Sequence, residues 1–255
     1  IFRNFQNYMK TGIISDIHED IVNLKKALTI LEKQDCTEIA CLGDITGYGK
    51  EHYDFEHERD AAGCLEIVRK NCRYIVPGNH DLHAVQRIPD FTAGFDYPAD
   101  WYELPEEKRH KLAGDRIWIY KDELPANISP DDQEFLRNCP ALLVFEADGV
   151  NILFTHFVFP DIFGSLTAFP ETRKQRKAHF EFMESLGCRV SFTGHGHIEG
   201  ALLSYSAGLI SKPFGTSLLK KHPCTVMTPA VVRSERQSGL MVFDTGLNVI
   251  HILRL

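Results

Sequence analysis

Metal-competent side chains recur in one setting along this chain: a short apolar run of strand type stops, usually at a glycine, and an Asp, Asn or His follows. Ile13-Ile14-Ser15 leads to Asp16 and His18, and Ile39-Ala40-Cys41-Leu42-Gly43 to Asp44. Tyr74-Ile75-Val76-Pro77-Gly78 leads to Asn79, His80 and Asp81, Ile152-Leu153-Phe154-Thr155 to His156, and Val190-Ser191-Phe192-Thr193-Gly194 to His195 and His197. Imidazole, carboxylate and amide donors without thiolate suit manganese, iron, zinc or cobalt better than calcium. In open α/β sheets, ligands bind outside the carboxyl ends of the strands. The five motifs therefore predict one polar site.

Taken singly, each motif has a plainer reading. Asp16-Ile17-His18 places a carboxylate and an imidazole on one side of an extended segment, but surface pairs of this kind are common. Gly43-Asp44 and Gly78-Asn79-His80-Asp81 also read as strand-to-loop turns, because Gly, Asn and Asp favour turns whatever their function. Gly194-His195-Gly196-His197 is harder to explain by packing, and two neutral imidazoles on flexible backbone suit adjacent metal sites. The set together carries the argument.

The elements that must position these residues follow from periodicity. Ile21, Leu24, Leu28 and Leu31 form one helical face, and Ala61, Ala62, Leu65 and Val68 mark a second helix near 58–70. With strands at 12–15, 38–42 and 74–76 this is a β-α-β-α-β alternation, which implies a parallel sheet with right-handed crossovers. Residues 83–128 break the pattern with prolines at 89, 98, 105 and 125 and aromatics at 91, 95, 97, 101 and 102. This irregular insertion either caps the site or simply packs a long connection. Ser129-Pro130-Asp131-Asp132 starts a helix running to about Asn138. Runs 141–145 and 150–155 flank Asp148-Gly149 as a hairpin, Gly187 is placed to end a helix over 171–186, and 239–254 reads as a second hairpin.

The chain has 255 residues, 44% hydrophobic and 25% charged, as expected of one domain spanning residues 1–255. Met9 is a candidate start, with residues 1–8 an extension. No apolar run approaches the roughly 20 residues needed to cross a bilayer, and no leader pattern stands at the N-terminus. The seven cysteines are odd in number and contain no C-x-x-C pair, against a disulfide framework or zinc ribbon and in favour of the cytoplasm. A net charge of -7 argues against general affinity for nucleic acid or an anionic membrane.

In their order, D-x-H, G-D, G-N-H-D, H and G-H-x-H resemble the signature of the calcineurin-like metallophosphoesterase family, in its compact prokaryotic form, from residue 12 to about 200. The resemblance implies a four-layer α/β/β/α sandwich of two mixed β-sheets flanked by helices. It implies two divalent or trivalent transition-metal ions (Mn, Fe or Zn), one held by Asp16, His18 and His197, the other by Asn79, His156 and His195, with Asp44 bridging. His80 would contact the scissile phosphate and protonate the leaving group, with Asp81 as its orienting partner. The implied reaction is hydrolysis of a phosphodiester or a small phosphomonoester or nucleotide by water activated between the metals. A carboxylate can span two such ions, and the neutral Asn79 leaves the centre attractive to a phosphate anion.

The chain also departs from its relatives. Protein phosphatases of the family carry a phosphate-clamping arginine after the second motif, where this chain has Tyr48; that ring either binds substrate or is a half-buried loop aromatic. Phe157-Val158-Phe159 is bulkier than the loop expected after the fourth motif, and 225–232 replaces a common Asn-Pro-Gly-Ser. His83 is the one other histidine near a motif. The cluster Arg173-Lys174-Arg176-Lys177 either recruits an anionic substrate or is a solvated helix face. Two other functions are weighed: a non-catalytic scaffold, as the same fold provides in the retromer complex, and a nuclease. The intact ligand set with His80 speaks against the first, and the acidic balance gives no sign of the positive groove the second needs.

Overall fold

In the computed structural model, residues 9–170 and 173–255 are described; the expected extension at 1–8 lies outside them. The first half of the chain runs β1 (Lys10–Ile14), α1 (Ile21–Lys33), β2 (Glu38–Cys41), β3 (Tyr48–Gly49), α2 (Ala61–Asn71), β4 (Tyr74–Ile75), α3 (Asn79–Ala84), α4 (Glu106–Ala113), β5 (Glu123–Leu124) and α5 (Pro130–Asn138). The second half adds β6 (Leu143–Ala147), β7 (Val150–Phe154), α6 (Arg173–Ser185), β8 (Val190–Ile198), β9 (Ala201–Tyr205), β10 (Gly208–Lys212), β11 (Gly215–Leu218), β12 (Cys224–Pro229), β13 (Gly239–Asp244) and β14 (Val249–Arg254).

Two six-stranded mixed sheets result among the described residues, ordered β11-β14-β13-β1-β2-β4 and β10-β9-β12-β8-β7-β6. β1, β2 and β4 run parallel, as do β7, β8 and β12. Period-two alternation divides β1 between two cores. Ile13 joins Leu42, Phe154, Phe192 and Phe243 between the sheets. Ile14 joins Leu24 and Leu31 of α1 and Leu65 and Val68 of α2 on the outer face of the first sheet. On the far side, Met183 of α6 covers Leu153 of β7. The layers are thus helix, sheet, sheet, helix, as the resemblance implies.

The helix starts follow their caps. Asp20 and Asp60 accept the amides of Asn23 and Gly63, and Ser129 with Asp132 forms a reciprocal capping box at α5. Asp148 and Gly149 take φ of 51° and 75° in the β6–β7 turn, the left-handed pair a two-residue hairpin needs. Periodicity did not reveal β9 to β12, nor that 79–84 forms a short helix rather than a bare turn. No helix among the described residues is long and apolar enough to cross a membrane.

The insertion at 83–128 has its own small core of Phe95, Trp101, Leu104, Ile117 and Ile119, so most of its aromatics pack the connection. Its tail, β5, pairs with β3 and brings residues 118–123 to the ends of the strands. Of the basic cluster, Lys177 pairs with Glu181 on the exposed face of α6, and the side chain of Arg173 lies outside the described residues.

His179 of α6 is buried between helix and sheet. Its Nδ1 accepts the Phe159 amide at 2.9 Å, leaving Nε2 to donate to Ser191 Oγ at 3.1 Å. Burial pushes its pKa down to about 3. The unfolded chain, titrating near 6.5, therefore binds the extra proton between pH 6.5 and 3, and stability falls as pH drops through that window. The loss attributable to His179 between pH 7 and pH 5 is about 2 kcal/mol. Urea denaturation of His179→Asn at both pH values should show a pH difference smaller by that amount; an unchanged difference would refute the assignment.

Candidate metal centre

The ends of β1, β2, β7 and β8 and the start of α3 meet at one edge of the sandwich. The first motif is not the extended segment its spacing suggests. Asp16, His18, Asp44, His195 and His197 all adopt positive φ, between 44° and 68°. Such residues cost roughly 1–2 kcal/mol each and persist where the surroundings over-determine them. Here residues 16–19 are tied to residues 43–45 by four backbone hydrogen bonds, including the His18 and Ile17 amides to the Asp44 carbonyl at 2.9 and 2.7 Å. The last motif also differs from expectation. β8 runs on through both histidines to Ile198, and its pairing with β12 shifts register between Met227 and Pro229, a bulge that re-aims side chains.

Three donor groups converge, each with its atoms within 4.8 Å of one another: Asp16, His18 and His197; Asp44, His156 and His195; and His18, Asp44 and His80. His18 Nδ1 donates to the Gly47 carbonyl at 2.6 Å, turning Nε2 toward His197 Nε2 at 3.1 Å. His156 Nδ1 likewise donates to the Leu42 carbonyl at 2.7 Å, and its Nε2 lies 3.0 Å from Asp44 Oδ2. Backbone carbonyls thus fix the tautomers that present Nε2 inward. Asp44 is held by its other oxygen, which accepts the His80 amide at 2.9 Å. A Cβ at Gly78 would overlap that oxygen, which explains the glycine. Both oxygens of Asp16 accept the His195 amide at 3.0 Å.

The electrostatics suit cations. Burial opposes charge on Asp16 and Asp44, yet the neighbouring histidines, His197 for Asp16 and His156 for Asp44, hold both below the usual carboxylate range. Burial lowers His18 and His195 to about 3, keeping their lone pairs free. His156 is also buried, but Asp44 raises it to about 9, so a proton and a metal ion compete for that pair. Asn79 Oδ1 and His195 Nε2 are buried without a hydrogen-bond partner, and His156 Nε2 faces the Asp44 carboxylate. Natural structures rarely leave buried polar atoms unsatisfied, and these are three donors that the resemblance assigns to one metal. The residues present therefore fit a pair of transition-metal ions.

His80, which converges with His18 and Asp44, also has a carboxylate partner from the insertion. Its Nδ1 donates to Glu123 Oε2 at 2.5 Å. Burial works against its charge, but the Glu123 and Asp44 carboxylates outweigh it and raise the imidazole to about 9. With Nδ1 engaged by Glu123, the protonated imidazole has its Nε2–H left as a donor.

Two expectations need correction. Asp81 does not face the His80 ring. Its Oδ1 accepts the amides of Ile45 and Thr46, both at 2.9 Å, and the Thr46 hydroxyl at 3.0 Å, while Oδ2 accepts the Gly78 amide at 3.1 Å. It clamps the second motif to the third. Tyr48 does not reach substrate space either. The ring is buried, and its hydroxyl donates to the Tyr53 carbonyl at 2.8 Å. β3 pairing turns Tyr48 inward against Phe55, and Tyr53 lines the cleft in its place.

Glu123 escaped sequence reading because nothing local marks it; only the β3–β5 pairing brings it to His80. Tyr120, whose hydroxyl accepts from Asn79 Nδ2 at 2.9 Å, arrives by the same route. His83 packs behind Tyr120, ring centroids 4.6 Å apart. The bulky residue after His156 has a place as well: the Phe157 ring lies 4.6 Å from that of His195, and Phe169 stacks on the same imidazole at 5.3 Å. The centre opens into a cleft of about 880 Å³.

Comparison with known proteins bears on the fold and the family. An uncharacterized protein of Methanocaldococcus jannaschii is 23% identical over 185 residues, 68% of this chain and 64% of the relative's length. A metallophosphoesterase from Sphaerobacter thermophilus shares the fold with a TM-score of 0.66 at 19% identity, covering 98% of this chain and 89% of that one. A hypothetical protein from Pyrococcus horikoshii OT3 aligns with a TM-score of 0.59 at 12% identity, over 97% and 88% of the two chains. The calcineurin-like phosphoesterase family matches residues 9–199, the span holding every converging Asp, Asn and His described above, and the chain belongs to that family.

Proposed function

We propose that the protein hydrolyses phosphate esters at this centre, with Asp16, His18 and His197 holding one transition-metal ion, Asn79, His156 and His195 a second, and Asp44 shared. The observation that carries the reading is the convergence of buried Asp and His side chains at one sheet edge, where Asn79 Oδ1 and His195 Nε2 are buried without a hydrogen-bond partner. When bound, the ions, manganese, iron or zinc, supply Lewis-acid charge stabilisation and lower the pKa of water. The chain's own residues do the rest. With Nδ1 engaged by Glu123, His80 keeps Nε2 to donate a proton to the leaving-group oxygen. Asp44 anchors the His80 backbone, so ligand and acid are set in one frame. Asp81 ties residues 45 and 46 to that frame but touches no reacting atom. Seven unpaired cysteines, six of them buried, support a reducing compartment such as the cytoplasm.

The test is direct. Protein loaded with manganese should contain two ions per chain and hydrolyse aryl phosphodiesters or monoesters. Inactivity toward both, with both positions filled, would refute the reading and favour a scaffold.

A further inference from the structure

The cleft is far larger than a phosphate, and two aromatic rings stand open in it. Among the described residues, Trp118 and Phe169 are 42% and 41% exposed and both line the cleft. The exposure of Trp118 follows from strand-like alternation. Ile117 and Ile119 turn into the core of the 83–128 insertion, and the tryptophan between them has no place there. Its position is fixed from behind. The Trp118 amide donates to the Ser165 carbonyl at 3.1 Å, Ile117 bridges Leu166, and the Thr167 amide donates to the Arg116 carbonyl at 3.0 Å. Residues 116–118 and 165–167 are therefore tied into one wall, and Ile117, Trp118, Thr167 and Phe169 line the cleft. Phe169 is braced by its stack on His195, interplanar angle 16°.

The remaining rim is acidic. Glu51, Asp115, Asp122 and Glu235 outnumber Lys121 and Arg236. Carboxylates accept hydrogen bonds from sugar hydroxyls and exocyclic amino groups, and they repel further phosphates. An anion is welcome only at the metals.

Resting on the phosphoester reading above, we propose that the substrate is a nucleoside monophosphate or its diester, with its base stacked on Trp118 and its phosphate at the metal centre. Trp118 is a specificity residue; Phe169 borders the same space. Polyphosphates are poor ligands for this cleft.

The two tryptophans make the test optical, without turnover. Trp101 is buried at 3% exposure and reports the fold, whereas Trp118 reports the cleft. Zinc-loaded protein is titrated with a nonhydrolysable phosphonate analogue of adenosine monophosphate, and separately with methylphosphonate, while emission is followed. The adenosine compound should quench emission saturably and bind about tenfold more tightly, the effect expected of one base–aromatic stack. In Trp118→Ala, where calorimetry replaces the lost cleft signal and is run on the parent as well, the tenfold preference should vanish, with methylphosphonate affinity and Trp101 emission unchanged. Equal affinities in the parent protein, or a preference that survives in Trp118→Ala, would overturn the proposal while leaving the phosphoester reading intact. Failure of both compounds to bind would overturn the phosphoester reading and this inference with it.

Discussion

Replacing His80 by Ala should lower kcat by about 10²–10⁴-fold, the usual contribution of a positioned general acid, while metal analysis still finds two ions per chain. The expectation rests on the division of labour at the site. His80 lies beside Asp44 but gives its Nδ1 to Glu123 at 2.5 Å, which is the geometry behind the proposed role of carrying a proton. Glu123→Gln tests the partner. It should cost up to about 10²-fold in kcat through lost orientation, with KM little changed. Its pH profile has a definite sign. Glu123 and Asp44 together raise the His80 pKa, so without the Glu123 charge the proton leaves at lower pH and the basic limb moves down. A Glu123→Gln profile superimposable on the parent's would show that the contact does not tune the acid. Loss of an ion in His80→Ala would mean that His80 is a ligand.

Asp81→Ala should destabilise the folded protein by about 3–5 kcal/mol, the range for breaking a buried charged network. Its carboxylate serves four donors on two separate motifs. Burial and the nearby Asp44 charge push its pKa up to about 6, against the pull of those donors. Removing the side chain strands three amides and a hydroxyl in a buried turn, and each unsatisfied group costs about 1–3 kcal/mol before relaxation. Urea denaturation of the metal-loaded protein measures the loss. If Asp81 instead oriented the His80 ring, kcat would fall and the denaturation midpoint would stay where it is.

These two predictions separate neighbouring residues that look alike in the sequence. Gly78-Asn79-His80-Asp81 is a continuous motif, yet α3 sends its side chains to different tasks. Asn79 lines the cleft with its oxygen unpartnered, His80 meets a carboxylate from the insertion, and Asp81 turns back to the loop after β2. A helix distributes successive side chains about 100° apart, so adjacency in sequence does not mean a shared partner.

By itself the sequence determined the inventory of donors and the strands that deliver them. Alternating apolar runs cut by Gly and Asp signal are local physics: β1, β2, β4, β7 and β8 lie where those runs predict, because pleat period and turn chemistry act over a few residues. The helix caps at Asp20, Asp60 and Ser129 are legible for the same reason. Tertiary structure decided everything that depends on chain segments meeting from far apart. Only the β3–β5 pairing turns Tyr48 inward and brings Glu123 to His80, across 43 residues. Only the register shift between β8 and β12 and the left-handed turns at Asp16 and Asp44 aim the candidate donors. The cleft wall at Trp118 exists because Ile117 and Ile119 found a core in the insertion. The donor types are thus written locally, whereas their aim, the carboxylate partner of His80 and the shape of the cleft are long-range contacts that no local pattern encodes.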